Sequence, residues 1–276
     1  MDDRLSAFFN QHGLSAHMFF TGTLCKNIDF EDNLIGGFLH LIRRGTVIAH
    51  SVKHAPLIIS EPSLLLYPRP AKHRFEFNGD GEADLTCATI DLGDGYNNIL
   101  AEALPAVLLM PLNNLPQLAS TLELLFNEAE QAHSGRQASI DRLFEYLLIQ
   151  LLRHILDNNQ TNVGLIAGLA DKRLAKALTA MHNEPSLNWS LEALADKAGM
   201  SRARFAVHFR EVVGTTPIDH LTKWRIGLAQ TLLKKGKPIG IVANEVGYSG
   251  AVVFSRIFKA KIGLTPKTWL QLARAS

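Results

Sequence analysis

The sequence predicts an α+β protein: an N-terminal antiparallel β-barrel, a helical hairpin after it, and an all-α C-terminal domain in which one helix-turn-helix pattern is used twice. Three observations carry this. Between residues 17 and 92, apolar residues come in short runs broken by Gly45, Pro56, Pro62, Pro68, Pro70 and Gly79-Asp80-Gly81, as in short antiparallel strands joined by turns. From Leu115 the apolar spacing becomes helical. In the last hundred residues a single pattern appears twice. At 276 residues the chain exceeds the usual size of one domain, so two are expected.

Taken in order, the strands are expected at 17–23, 37–42, 46–50, 57–59, 64–67, 74–77 and 85–90, closing a domain over 1–112. Leu118, Leu122, Leu125 and Phe126, then Ile140, Leu143, Phe144, Leu147, Leu148 and Leu151, each fall on one helical face. The break at Gly135 makes 113–157 an antiparallel hairpin, a shape used for dimer contacts. Its apolar faces either join two chains in a homodimer or pack on the barrel of their own chain. Residues 158–169 are polar, glycine-bearing and without strong period, and read as a linker to a domain at 170–276.

The repeat is specific. Ala195-Asp-Lys-Ala-Gly199-Met-Ser201, Phe205, Phe209, Gly214 and Pro217 return as Ala243-Asn-Glu-Val-Gly247-Tyr-Ser249, Phe254, Phe258, Gly263 and Pro266. The offset is 48 residues up to the serine and 49 after it, so the second copy has one extra residue in its turn. In the first copy Ser190 is expected to cap a helix with Leu191, Leu194, Ala195 and Ala198 inward. Gly199 permits the turn, and Ser201 caps a second helix with Phe205, Phe209 and Val212 inward. The second copy repeats this through Ile241, Val242, Val246, Phe254 and Phe258. Between them 217–234 is a long helix with Ile218, Leu221, Trp224, Leu228 and Leu232 inward, fixing the separation of the units. Two such units imply a protein that reads neighbouring major-groove segments, which recur every ~34 Å on one face of DNA.

Charge agrees. Residues 1–169 hold 11 basic and 19 acidic side chains, whereas 170–276 hold 17 basic and 7 acidic, net charges of −8 and +10. A basic half opposite an acidic one suits a polyanionic partner. No apolar run reaches membrane-span length, since 104–112 is short and broken by Pro105 and Pro111. The acidic N-terminus does not resemble a secretory signal. With two cysteines in the chain, the expected compartment is the cytoplasm, with no membrane partner.

Residues 175–272 resemble the DNA-binding domain of AraC/XylS-family transcription regulators, most specifically in Ala243-Asn-Glu-Val-Gly-Tyr-Ser with Phe-Ser-Arg-Ile-Phe-Lys and Gly-Leu-Thr-Pro. The resemblance implies groove-facing residues Arg202, Ala203, Ala206 and Val207 on the first reading helix, and Ala251, Val252, Ser255 and Arg256 on the second. Arg256 suits a bidentate guanine contact and Ser255 a phosphate or base contact, while the alanines and valines offer at most a contact to a thymine methyl. Discrimination would lean on Arg202, Arg204, Arg256 and DNA shape. Each of these is equally readable as a plain exposed helix position. Lys223, Lys259 and Lys261 read as phosphate partners or solvated charges.

Residues 15–110 resemble the cupin-type sensor domain found in one AraC subgroup, through Gly22-Thr-Leu-Cys25, Phe38-Leu-His40-Leu-Ile-Arg-Arg-Gly45, Leu65-Leu-Tyr-Pro68 with His73, Leu85-Thr-Cys87 and Ala103-Leu-Pro105. Family members commonly carry glycine after each cysteine, where this chain has Lys26 and Ala88. Some regulators of this subgroup respond to reactive chlorine species, which implies a redox role for Cys25 and Cys87. The residues themselves admit three readings: inert core thiols, a redox pair with Lys26 beside Cys25, or a metal site joining a thiolate to His40, His50, His54 or His73. His40 and His73 are the weak metal candidates, and no other cofactor is expected. Gly93-Asp-Gly95 lacks the lysine of a phosphate loop, and no nucleophile-base constellation appears.

The expected function is therefore a sequence-specific transcription regulator, an activator of double-stranded promoter DNA that works with RNA polymerase, with an N-terminal domain sensing an oxidant or small ligand. The alternative is a cupin-type metal-dependent enzyme tethered to a DNA-binding tail.

Overall fold

The computed structural model describes residues 3–32, 36–52, 54–77, 81–93, 98–158 and 163–275. The expected turn at 79–80, most of the Gly93–Gly95 stretch and residues 159–162 of the expected linker lie outside them. The chain forms two compact units, one of 14–96 with 104–155, the other of 1–13, 97–103 and 156–276.

Among the described residues the first unit has nine strands. β1 (Ser15–Leu24), β3 (Gly37–Arg44), β6 (Ser63–Tyr67), β8 (Ala83–Asp91) and β9 (Leu108–Pro111) form a five-stranded sheet in the order β1-β8-β3-β6-β9. β2 (Ile28–Phe30), β4 (Val47–Ser51), β5 (His54–Ile59) and β7 (His73–Glu76) form the other, in the order β2-β7-β4-β5. All pairings are antiparallel. Strands β2 and β9, three and four residues long, are too short to show an alternation and are not among those expected from sequence.

Alternate residues of each strand share a face, and the shared core takes Phe38, Leu65, Tyr67 and Cys87 from one sheet and Phe30, Val47, Ile59 and Phe75 from the other. In β3 the intervening Leu39 and Leu41 are buried as well. Helices α3 (Ala119–Glu130) and α4 (Arg136–Asp157) explain this. On α4, Asp141 accepts from the Met18 amide (2.9 Å) and Gln137 donates to the Met18 carbonyl (2.9 Å). On α3, Phe126 lies under the Arg43 guanidinium at 4.4 Å, and Glu130 accepts from Arg43 at 2.6 Å. The hairpin thus packs on the five-stranded sheet of its own unit, with Leu124 and Tyr146 left exposed.

The second unit is helical: α5 (Leu165–Ala170), α6 (Leu174–Asn183), α7 (Leu191–Ala198), α8 (Arg202–Val213), α9 (Pro217–Lys234), α10 (Ile239–Glu245), α11 (Ala251–Ile262) and α12 (Pro266–Ala275). It also holds α1 (Ser6–His12) and α2 (Ile99–Ala103), so the barrel does not keep all of residues 1–112. The reason is apolar surface. Phe8 of α1 is buried with its ring 5.9 Å from that of Trp224. Gln11 fixes the contact, accepting from the Trp224 indole at 3.1 Å and donating to the His182 carbonyl at 2.6 Å.

Part of the expected linker is corrected too. Leu165–Ala170 is a buried helix, and a Cβ on Gly168 would stand 2.8 Å from side-chain atoms of both Leu178 and Val213. Six residues are too few to show a helical period.

Candidate DNA interface and sensor core

Each helix-turn-helix is built by local signals. Ser190 Oγ accepts from the Ala193 amide at 3.1 Å and starts α7. Gly199 ends it in the left-handed region at φ +63°. Ser201 stands at the N-cap of α8 in extended conformation, but its side chain makes no capping bond. Phe205, Phe209 and Val213 are the buried face of α8, so Val213 takes the place expected of Val212. Thr216 and Pro217 then start α9, Thr216 Oγ1 accepting from the Asp219 amide at 3.2 Å. Leu221 and Trp224 are buried as expected, whereas Ile218 is exposed.

In the second unit Val242, Ala243, Val246, Phe254 and Phe258 pack against Ile226, Ala229 and Leu233 of α9. Gly247 is required twice over: φ is +88°, and a Cβ would lie 2.8 Å from the Ser186 backbone. The extra residue of this copy is Gly250, which occupies the N-cap of α11 where Ser201 stands in the first.

The residues expected to face DNA lie away from these cores. Arg202, Ala203, Arg204 and Val207 are exposed on α8, with Ala206 half-buried. On α11, Val252 and Arg256 are exposed and Ala251 and Ser255 half-buried. Of the lysines, Lys223 pairs with Glu102 at 3.2 Å and Lys261 with Asp219 at 3.3 Å, while Lys259 is exposed.

Sequence reasoning missed a basic hollow beside α8, about 290 Å³, lined by Asp171, Lys172, Arg173, Met200, Arg204 and His208. Asp171 caps α6, accepting from the amides of Arg173 (2.8 Å) and Leu174 (2.9 Å), and binds His208 Nε2 at 2.8 Å. Partial burial opposes its ionisation, but the bonds from Leu174, His208 and Arg173 hold its carboxyl below the usual range. An aspartate three residues before Leu174 was the available signal.

In the first unit the structure brings His40 and His73 together and keeps the cysteines apart. The two imidazoles meet Nε2 to Nε2 at 2.9 Å, and His73 Nδ1 lies 2.8 Å from the Ala71 carbonyl. A carbonyl only accepts, so His73 is protonated on Nδ1 and its Nε2 accepts from His40. That leaves His40 Nδ1 as a buried acceptor without a partner among the described residues. His73 is stacked on both Phe30 (4.6 Å) and Tyr67 (4.2 Å). Burial, with His73 adding to it, keeps the His40 pKa well below its ordinary value. Burial lowers His73 to about 4 against the Ala71 bond. Both are neutral at physiological pH. Among the described residues no group of three or more His, Cys, Asp or Glu side chains is arranged to hold a metal ion. His50 instead lies 2.8 Å from Glu76, and His54 is exposed.

Cys87 is buried within β8, directly across from His40 in β3, and burial pushes its thiol far above the ordinary range. Cys25 is exposed just beyond β1. Since Phe20 pairs with Cys87 and Leu24 with Ala83, Cys25 sits about five residues along β8 from Cys87, roughly 17 Å at strand spacing. A disulfide needs Cα atoms within about 7 Å, so the pair is not set to bond in this conformation. Near the end of the barrel a cleft of about 400 Å³ is lined by Ser51, His54, Tyr67, Arg69, Lys72 and Val107, among others.

Paired helix-turn-helix units on a basic helical unit define a DNA-binding protein, and an antiparallel double-sheet domain accompanies it. The cupin family matches residues 3–157, more than half the chain, and the helix-turn-helix domain family matches 194–272. The chain belongs to the AraC family of transcription regulators and carries an N-terminal cupin domain. It is 29% identical over 256 residues to an uncharacterized HTH-type transcriptional regulator of Haemophilus influenzae, covering 84% of this chain and 85% of that one. It is 27% identical over 216 residues to the RCS-specific HTH-type transcriptional activator RclR of Escherichia coli, covering 77% and 76%. The solved structure of ToxT from Vibrio cholerae O395 is similar at 14% identity and a TM-score of 0.41, over 95% of this chain and 97% of that one. No helix of the described residues is long and apolar enough to cross a membrane.

Proposed function

We propose that this DNA-binding regulator is a sequence-specific activator at a double-stranded promoter, and that its cupin unit senses an oxidant through Cys25. The observation that supports DNA reading is the matched geometry of α8 and α11: each buries two phenylalanines and turns arginine and small side chains outward. The RclR relative is named as RCS-specific and as an activator, which supports the signal and the direction of control. Activation implies work with RNA polymerase in the cytoplasm, and exposed Leu124 and Tyr146 offer a surface for a homodimer.

Of the two thiols, Cys25 is the one an oxidant reaches. Its thiolate and hypochlorous acid give a sulfenic acid and chloride, after which a conformational change would be needed to engage Cys87. We read the barrel as a sensor rather than a metal-dependent enzyme because His40 and His73 bond each other inside an aromatic box. A second reading, a small ligand, is favoured by one observation. Tyr67 lines the cleft beside Arg69 and Lys72, and burial pushes its phenol up to about 12, so it stays protonated there and can donate to a ligand.

The test is promoter affinity of the full chain before and after hypochlorous acid. Cys25→Ser should abolish the change and leave basal binding intact. A full response in that variant would move the signal to another residue.

A further inference from the structure

Aligned by the 49-residue offset, the outward positions of α8 and α11 correspond as Arg202 to Ala251, Ala203 to Val252, Ala206 to Ser255, and Val207 to Arg256. Each helix therefore carries one arginine and one valine in these four positions, in opposite order along the helix. The valines are conspicuous for their exposure, 58% for Val207 and 84% for Val252. Both lie about 200° round the helix from a core phenylalanine, at 100° per residue, so they point away from the fold. A β-branched side chain at an exposed helix position lowers helix propensity, and the fold makes almost no use of these two. Neither can donate or accept a hydrogen bond. The feature of the major-groove edge that suits such a side chain is the C5 methyl group of a pyrimidine.

We propose, resting on the DNA-reading function above, that the protein selects its sites in part by C5 methyl groups, one under Val207 and one under Val252. The methyl can come from thymine or from 5-methylcytosine. Because valine and arginine exchange places between the helices, the methyl lies on the N-terminal side of the arginine-contacted base pair under α11 and on the C-terminal side under α8. The two half-sites are then not copies of one sequence, although the protein units are copies of one pattern.

The experiment uses the full chain and duplexes enriched from a randomised pool. In the enriched duplex each thymine is replaced in turn by deoxyuridine, which removes the C5 methyl and no hydrogen-bonding atom, and each cytosine by 5-methylcytosine. One thymine under each helix should weaken binding about fourfold when replaced, the ratio carried by one buried methyl group. Val252→Ala should weaken the unmodified duplex by a similar factor and be insensitive to deoxyuridine at its own position. Val252→Thr, which keeps the shape and one of the two methyls, should lose less affinity than Val252→Ala and keep part of the sensitivity to deoxyuridine. The exposure of Val252 means that neither change should lower the melting temperature. Gains confined to 5-methylcytosine, with no loss at deoxyuridine, would support the methyl contact and assign its source to modified cytosine. If replacing every thymine leaves affinity unchanged and methylated cytosine adds nothing, the valines face something other than base methyls and the proposal falls. If no duplex is enriched at all, the underlying DNA reading fails first, and the proposal with it.

Discussion

The helix nearest the start of the chain belongs to the unit that reads DNA, and Phe8→Ala tests that directly. Phe8 is 2% exposed, and its ring stands 5.9 Å from that of Trp224, which is itself fully buried on the connector α9. Trp224 is stacked on His182 at 3.6 Å, and His182 bonds His220 at 2.9 Å, whose ring meets Phe209 of the reading helix α8 at 5.8 Å. Loss of a buried phenylalanine to alanine costs about 3–5 kcal/mol in a core that cannot collapse. Here α1 is short and terminal and can settle inward, so the expected loss is near the lower figure, about 3 kcal/mol. All three tryptophans, Trp189, Trp224 and Trp269, lie in residues 156–276, so intrinsic fluorescence during urea unfolding reports this unit alone. The fluorescence midpoint should fall, and DNA affinity with it. An unchanged midpoint would refute the packing of α1 on Trp224. For the same reason a fragment beginning at residue 170 should be less stable than the unit in the full chain, since it lacks α1, α2 and α5.

Four further outcomes are expected. Gly247→Ala, at positive φ and against the Ser186 backbone, should cost about 1–3 kcal/mol of that same transition; Gly236→Ala, at φ +83° with open space around it, should cost less. In the cupin unit, His40 and His73 have folded pKa values below the unfolded 6.5, His73 at about 4, so the unfolded chain binds more protons between those values. Stability of this unit should be complete above pH 6.5 and fall as pH drops toward 4, with His73 contributing about 3 kcal/mol to the loss; replacing both by apolar residues should flatten the profile in denaturant melts at stepped pH. Arg256→Ala should weaken specific sites by about 1–3 kcal/mol and random DNA much less. An equal loss on both in a filter-binding titration would make Arg256 a phosphate contact.

What could be read in the sequence follows the range of the interactions involved. The repeat was legible because its turn glycines, caps and paired phenylalanines are local requirements, and the structure meets them at Gly199, Gly214, Gly247 and Gly263. The meeting of His40 and His73 was not derivable, since it depends on the pairing of β3 with β6 and of β7 with β4. The place of α1 was hidden for the same reason, its partners lying 171 and 213 residues away. Short elements such as β2, β9 and α5 were missed because three to six residues show no period. The cysteines illustrate the opposite hazard. Placing both in one strand-rich domain suggested proximity, whereas the register of β1 with β8 sets them several residues apart.

On the proposed function, both helix-turn-helix units read DNA in one bound complex. Hydroxyl-radical footprinting of the full chain on an enriched duplex tests it most directly. Two protected segments on one face, about 10 base pairs apart, are expected, with Arg256→Ala erasing the segment under α11 and sparing the one under α8. A single protected segment, or two that respond equally to Arg256→Ala, would contradict it.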